Sequence, residues 1–549
     1  MSEFTILRFN ECNNTLLQGI RRQKQWLFLW GVAVLLLFWN LGTGAFSAAE
    51  CIPAAAAQDL MDSSSTPQTF LNRLVWFFSI SPGGVSEMSA RMPVAIGALL
   101  MLGAVLAIAH KLAGRVTAIA SGWICLTTVG FLVNGRMVTD QMTLAAIVLW
   151  STAIYLFSRE KFSYCSAILF WFLLSFGVYT GGFFALFPAV IMILDLIFRK
   201  QIRNLFTLRN ITGFLIGIAS YVLLYHYGDF RCENPGISLH VDFGQMLKMS
   251  LPWTPLFVLA FLDIAKRKKQ NTDHRLLFYC VLIAALCTVM LKNAVLPLLG
   301  FSAILCGVML TSSPVTVPQL FSRILFRLVD ALLPLLALTL LLTPVLFIWR
   351  GPRFLPAGMA YPNWFVGMFY FGAPIAGILI FVWQTVMIRR RKQKKAMPEI
   401  CGADPVPDRV IPVAAFLLLI LFAILLPGMR SDAAFYSEKP FLLQTKELLR
   451  NQYGMKSPQR IYLLPGDAVS RCKTYLRCDN DVVLPVHNAD NIASALDDLK
   501  KHGGALFGLR RDFMRYRIPL TGLVLTEPPT VFRSAPDAED RLAVLLFLK

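Results

Sequence analysis

Two acidic residues stand where a carboxylate could do chemistry beside a membrane. Glu50, in Ala48-Ala49-Glu50-Cys51, follows the first long apolar stretch, and Asp140, in Asn134-Gly135-Arg136-Met137-Val138-Thr139-Asp140, precedes another. A carboxylate at a bilayer surface can take the proton of a hydroxyl as that hydroxyl attacks an electrophilic carbon. Glu50 is the candidate base, and Asp140 the candidate for positioning the acceptor. Each also has a plainer role open to it. Glu50 suits the first turn of a following helix, where the helix dipole favours negative charge, and Asp140 suits an N-cap. Candidate cations for a phosphate are Arg136, four residues before Asp140, Lys292 between two apolar runs, and Arg350 and Arg353 around Gly351-Pro352. Arg136 could equally pair with Asp140, Lys292 could snorkel to the interface, and Arg350 and Arg353 could flank an ordinary solvated turn. Trp253, beside Pro252, fits an aromatic belt or a platform for a sugar ring. The six histidines share no spacing, so no metal site is expected. A divalent cation is compatible with the acidic residues, but no spacing requires one.

These residues need a membrane scaffold to position them. Of 549 residues, 56% are hydrophobic and 15% charged, with a mean hydropathy of +0.59. That composition describes a mainly α polytopic membrane protein rather than a soluble one. The net charge of +20 reads as basic loops, and no nucleic-acid-binding motif accompanies it. Apolar runs of spanning length give about thirteen spans, at 26–46, 93–110, 116–134, 142–158, 163–180, 183–198, 211–228, 252–265, 275–291, 294–311, 328–349, 364–388 and 410–428. The first 25 residues are polar and basic, so the first span reads as an uncleaved signal anchor. With the N-terminus cytoplasmic, the inside segments hold 26 Lys and Arg against 8 in the outside loops. The positive-inside rule then places Glu50, Asp140 and the C-terminus outside.

The chain divides into a membrane region, 1–428, and a C-terminal extracytoplasmic α/β domain, 429–549. Within the first, 47–92 is an outer loop with two expected juxtamembrane helices. One starts at Pro53 in an alanine-rich run, and the other covers the apolar, aromatic stretch 70–80. In the second, strands are expected at 459–464, 481–485, 505–509, 522–526 and 542–548, with a helix at 488–502 stopped by Gly503-Gly504. Cys472 and Cys478 could form a disulfide in an extracytoplasmic tail.

The span count, the acidic first outer loop and the α/β tail resemble the GT-C membrane glycosyltransferases, and within them the ArnT-like and dolichyl-phosphate-mannose–protein-mannosyltransferase-like group. Local motifs carry the resemblance. Ser86-Glu87-Met88-Ser89-Ala90-Arg91-Met92-Pro93 is similar to that group's Ser-Glu-x-x-x-Arg-x-Pro, Leu251-Pro252-Trp253 to its Pro-Trp, and Lys292 through Pro297 to a basic residue followed by Leu-Pro. Arg136 with Asp140 resembles its second acidic site. Where the group carries Asp-Glu in the first loop this chain has Ala49-Glu50. Its Lys-Pro-Pro appears as Thr66-Pro67-Gln68, and the Lys of its Lys-Gly-Pro as Thr180. The resemblance implies an inverting transferase in the bacterial inner membrane. It would move a sugar from a polyprenyl-phosphate donor to a lipid, glycan or protein acceptor, as in lipid A or cell-envelope glycan modification. The lost charges favour an alternative, a catalytically inactive protein of this fold that binds a lipid-linked glycan or a partner.

Overall fold

The computed structural model describes residues 25–39, 41–42, 48–61, 69–80, 85–160, 162–227, 249–251, 253–267, 272–290, 295–311, 461–465, 486–488, 492–518, 523–525 and 542–547, with single positions between 338 and 472. The helices in the first part are α1 (Gln25–Phe38), α2 (Ala48–Met61), α3 (Phe70–Phe78), α4 (Glu87–Leu126), α5 (Val129–Asn134), α6 (Gln141–Ser158), α7 (Tyr164–Gly181), α8 (Phe187–Phe198), α9 (Leu208–Tyr227), α10 (Thr254–Arg267), α11 (Thr272–Met290) and α12 (Val295–Thr311). Of these α4, α6, α7 and α9 are long and apolar enough by themselves to cross a membrane. The last three expected spans fall outside the described residues, apart from single positions.

The 40 residues of α4 are not one rod. Gly114 sits at φ +84°, a left-handed conformation that glycine adopts without Cβ strain. The chain doubles back there: a Cβ on Gly122 would lie 2.7 Å from Leu106. The two legs therefore correspond to the second and third expected spans. The third stops short of its expected end, at Leu126. Thr127 and Thr128 turn their hydroxyls back onto the carbonyls of Trp123 and Ile124, each at 2.7 Å, which competes with continuing the helix. Because the return leg restores direction, α6 runs parallel to the first leg of α4. Gly97 faces Thr143, Gly103 faces Trp150, and the Trp150 indole donates to the Leu100 carbonyl at 2.9 Å.

α12 lies at the centre. It is apolar all round and buried from Leu296 to Met309, as expected of a helix with no solvent face. It packs against the return leg of α4, where Thr117 and Thr311 share a 2.7 Å hydrogen bond. At the periphery α9 pairs with α7 through a 2.8 Å bond from the Trp171 indole to Asn210 and otherwise keeps an exposed apolar surface.

One end of this bundle is fastened by charge. Asp195, a lone acid in the apolar helix α8, is 3% exposed. It accepts from Tyr155 of α6 at 2.6 Å and from both arms of the Arg159 guanidinium at 2.6 and 2.7 Å. Arg159 also bonds Asp273, in the first turn of α11. Burial alone would lower the Arg159 pKa, but the bonds and charges of Asp195 and Asp273 outweigh it and raise it. Three helices are thereby joined at one point.

Residues 461–547 contain a five-stranded sheet in the order β2-β1-β3-β5-β4, with β1 Ile461–Leu463, β2 Val486–Asn488, β3 Gly504–Leu509, β4 Leu523–Leu525 and β5 Leu542–Phe547. β1 pairs in parallel with β2 and β3, while β5 runs antiparallel to β3 and β4. The helix Ile492–His502 connects β2 to β3 and buries Ala495 and Leu499. The strand expected at 481–485 lies outside the described residues; β2 covers the three that follow.

Asp195→Ala would leave the Arg159 charge without its main partner, at an expected cost of about 3–5 kcal/mol. The double variant Asp195→Ala with Arg159→Leu should lose less. Thermal unfolding of the purified protein in detergent measures both.

Candidate functional site

At the other end of the bundle the last carbonyls of α1 need donors, as the end of any helix does. Two arginines supply them. Arg136, in the loop between α5 and α6, donates to the Leu36 carbonyl and at 2.7 Å to that of Trp39. Arg91, in the first leg of α4, reaches the Leu41 carbonyl at 3.1 Å. The cations also suit the negative end of the α1 dipole. This explains why α1 ends at Phe38: the carbonyls of Leu36, Trp39 and Leu41 turn to the two guanidinium groups.

Arg91 then turns its remaining face to Glu50. Its Nε and Nη2 meet the two carboxylate oxygens at 2.8 and 3.0 Å, a fork-to-fork pair. The Val138 backbone N–H adds a third bond to Glu50 at 3.0 Å. Glu50 is 2% exposed and Arg91 6%. The helix that carries Glu50 starts at Ala48, five residues before the expected Pro53, so Glu50 lies in its first turn. Arg91 owes its position to a firmly started α4. Ser86 and Ser89 form a reciprocal capping box, and Ser89 also takes a 2.8 Å bond from Ser79 at the end of α3. Burial and the nearby Arg91 charge both lower the Arg136 pKa.

Asp140 stands apart from this knot. It is exposed and occupies the N-cap of α6 with helical φ and ψ of −74° and −23°, but its side chain makes no capping bond. The helical stripe of α6 therefore extends outward to it. One turn on, along the same side, come Thr143, Ile147, Trp150 and Ile154. These residues line an apolar groove of ≈ 510 Å³, closed on its other sides by Phe70 and Phe78 of α3 and by further side chains of α4 and α7. Asp140 thus lies one helical turn before Thr143, the groove residue nearest the start of α6.

The path of the chain through these helices has a counterpart. ArnT from Cupriavidus metallidurans bound to undecaprenyl phosphate superposes with a TM-score of 0.62 over 95% of this chain and 98% of its own, at 15% identity. The fold is that of ArnT. The apo state of the same protein gives 0.60 at 15% identity, over 95% of this chain and 97% of its own. An archaeal oligosaccharyltransferase, AglB from Archaeoglobus fulgidus, in complex with an inhibitory peptide and a dolichol-phosphate, gives 0.45 at 10% identity over 90% and 70%. No protein-family model matches the sequence, and no curated protein matches it.

On the ArnT fold the remaining candidates are placed as follows. The Trp253 indole is anchored by a 2.7 Å bond to Thr127, and Leu251 accepts the Val129 N–H at 3.0 Å. Trp253 is thus half-buried and pins the chain before α10 against the break between α4 and α5. Lys292, Arg350, Arg353, Thr66-Pro67-Gln68 and Cys478 lie outside the described residues; Cys472 is buried. Among the described residues no three His, Cys, Asp or Glu side chains come together. Sequence reasoning named Glu50 and Arg136, and quoted Arg91 within a motif without pairing it to Glu50; it missed the Asp195 cluster. Asp195 carried a signal: a charge inside an apolar span, here 183–198, is costly and implies a partner.

Glu50→Ala would strand the Arg91 charge in a buried site. We expect a loss of about 3–5 kcal/mol, with Arg91→Ala equally damaging and the double variant less than additive. A double-mutant cycle on detergent unfolding reads the coupling.

Proposed function

We propose that this chain is a membrane glycosyltransferase that takes a sugar from a polyprenyl-phosphate donor. The reading is carried by the exposed Asp140 carboxylate one helical turn before Thr143, which lines a lipid-sized apolar groove, in a chain with the ArnT fold. A cavity of ~150 Å³ holds one benzene, so a groove of ≈ 510 Å³ takes roughly twenty carbons, about four isoprene units. The ArnT structure that superposes is bound to undecaprenyl phosphate, which supports a prenyl chain as the occupant.

In the proposed reaction a hydroxyl of the acceptor loses its proton to a carboxylate and attacks the anomeric carbon, and the polyprenyl phosphate leaves with the bonding electrons. Asp140 is the better placed base, because it is exposed. Both Glu50 oxygens are held by Arg91, and a bond must be given up before Glu50 takes a proton. Glu50 is then a positioning residue, which fixes α2, α4 and the loop before Asp140 in one frame. Arg136, Lys292, Arg350 and Arg353 are the proposed cations for the phosphate, and Trp253 stays a proposed neighbour of the sugar. The excess of basic residues in alternate loops supports an N-terminus in the cytoplasm and a reaction on the outer face of the bacterial inner membrane. Lipid, glycan and protein acceptors are all compatible with this arrangement.

A second reading is binding without turnover. It is favoured by the Glu50–Arg91 lock and by Thr180 and Thr66-Pro67-Gln68 where related sequences carry lysines. One assay separates the two. Purified protein is given a radiolabelled polyprenyl-phosphate sugar and membrane extract as acceptor. Transfer by the unmodified chain, reduced about 10²–10⁴-fold in Asp140→Asn with donor binding kept, supports the transferase. Donor binding with no transfer supports the second reading, and neither binding nor transfer removes both.

A further inference from the structure

Toward the end of the bundle around Gly114 lies a second slot, which adjoins the proposed donor groove at Leu100 and Trp150. It measures ≈ 290 Å³ and lies between α1 and the first leg of α4, lined by Trp26, Trp30, Gly103, Leu106, His110 and Trp150. Beside it are two buried N–H donors with no partner among the described residues, Trp26 Nε1 and Arg115 Nε. They are neighbours: the Arg115 guanidinium carbon lies 5.9 Å from the Trp26 ring centre. Both groups can only donate, so what satisfies them must be an acceptor. An arginine that merely snorkelled to water would have its Nε–H hydrated, and here that atom is buried. The surroundings are positive. His110 and Lys111 are exposed nearby, and no Asp or Glu occurs between 88 and 139.

We propose that this slot binds one anionic glycerophospholipid from the leaflet on the Gly114 side. A phosphate oxygen accepts from Trp26 and Arg115, where charge-assisted bonds replace two unmet donors. One acyl chain occupies the trough between Trp30 and Trp150, whose volume suits roughly a dozen carbons. The lipid would join α1 to the α4 hairpin at the end where Gly114 turns it.

Full-length protein, delipidated in detergent and given phosphatidylglycerol or phosphatidylcholine, tests this by native mass spectrometry of retained lipid. One phosphatidylglycerol should be held in preference to phosphatidylcholine. Trp26→Phe and Arg115→Gln should each weaken that binding about tenfold, and Lys111→Gln should change it little. Gly103→Leu should fill the trough, since a Cβ there already sits 3.4 Å from Trp150. Trp26→Phe keeps the ring and its packing, so it carries the test even if Arg115→Gln fails to fold. Equal retention of the two lipids, unchanged retention in Trp26→Phe, or preference for undecaprenyl phosphate over phosphatidylglycerol would each overturn the proposal.

Discussion

A single buried ion pair sets the frame of the Glu50 end of this molecule. Arg91 holds both oxygens of Glu50 and the Leu41 carbonyl, and Glu50 in turn takes the Val138 N–H. The segments so joined lie 41 to 88 residues apart in the chain. A carboxylate or guanidinium alone in that setting would be costly, and neither can be removed without stranding the other. The pair therefore acts as a coordinate frame. It fixes where α1 ends, where α2 and α4 begin, and how the loop before Asp140 is hung.

The Asp195 cluster answers it at the opposite end. α6 has 18 residues, about 27 Å of helix, and its two ends meet these two networks through the loop at Val138 and through Tyr155 and Arg159. Between them the helices offer mostly apolar side chains, and a bilayer gives no hydrophobic reason for one apolar helix to prefer another. Polar knots at the ends, close glycine contacts and shape then carry the specificity. Asp140 is exposed, outside the Glu50–Arg91 pair. Glu50, inside the knot, is held by it.

Much of the fold was legible because bilayer thickness imposes length on apolar runs. The runs at 142–158, 163–180 and 294–311 lie within two residues of α6, α7 and α12 at each end. The run at 116–134 did not reveal that it would break at Thr127, since a pair of threonines in an apolar stretch bends a helix only when their hydroxyls find carbonyls. The groove was invisible in sequence. Phe70, Ile96, Ile147 and Phe176 read as four unremarkable apolar residues, and only the packing of α3, α4, α6 and α7 leaves a trough between them.

The sequence by itself determined which stretches are long and apolar enough to cross a membrane, and which carboxylates flank them. These follow from local quantities: hydropathy, length and charge. Only the tertiary structure decided which of those carboxylates is buried. Glu50 and Asp140 look alike in sequence, each a lone acid beside an apolar run. Glu50 is buried against Arg91, a partner 41 positions away that folding brings within 3 Å, while Asp140 is exposed. Ionic contact depends on distance through space, and no local pattern encodes that distance.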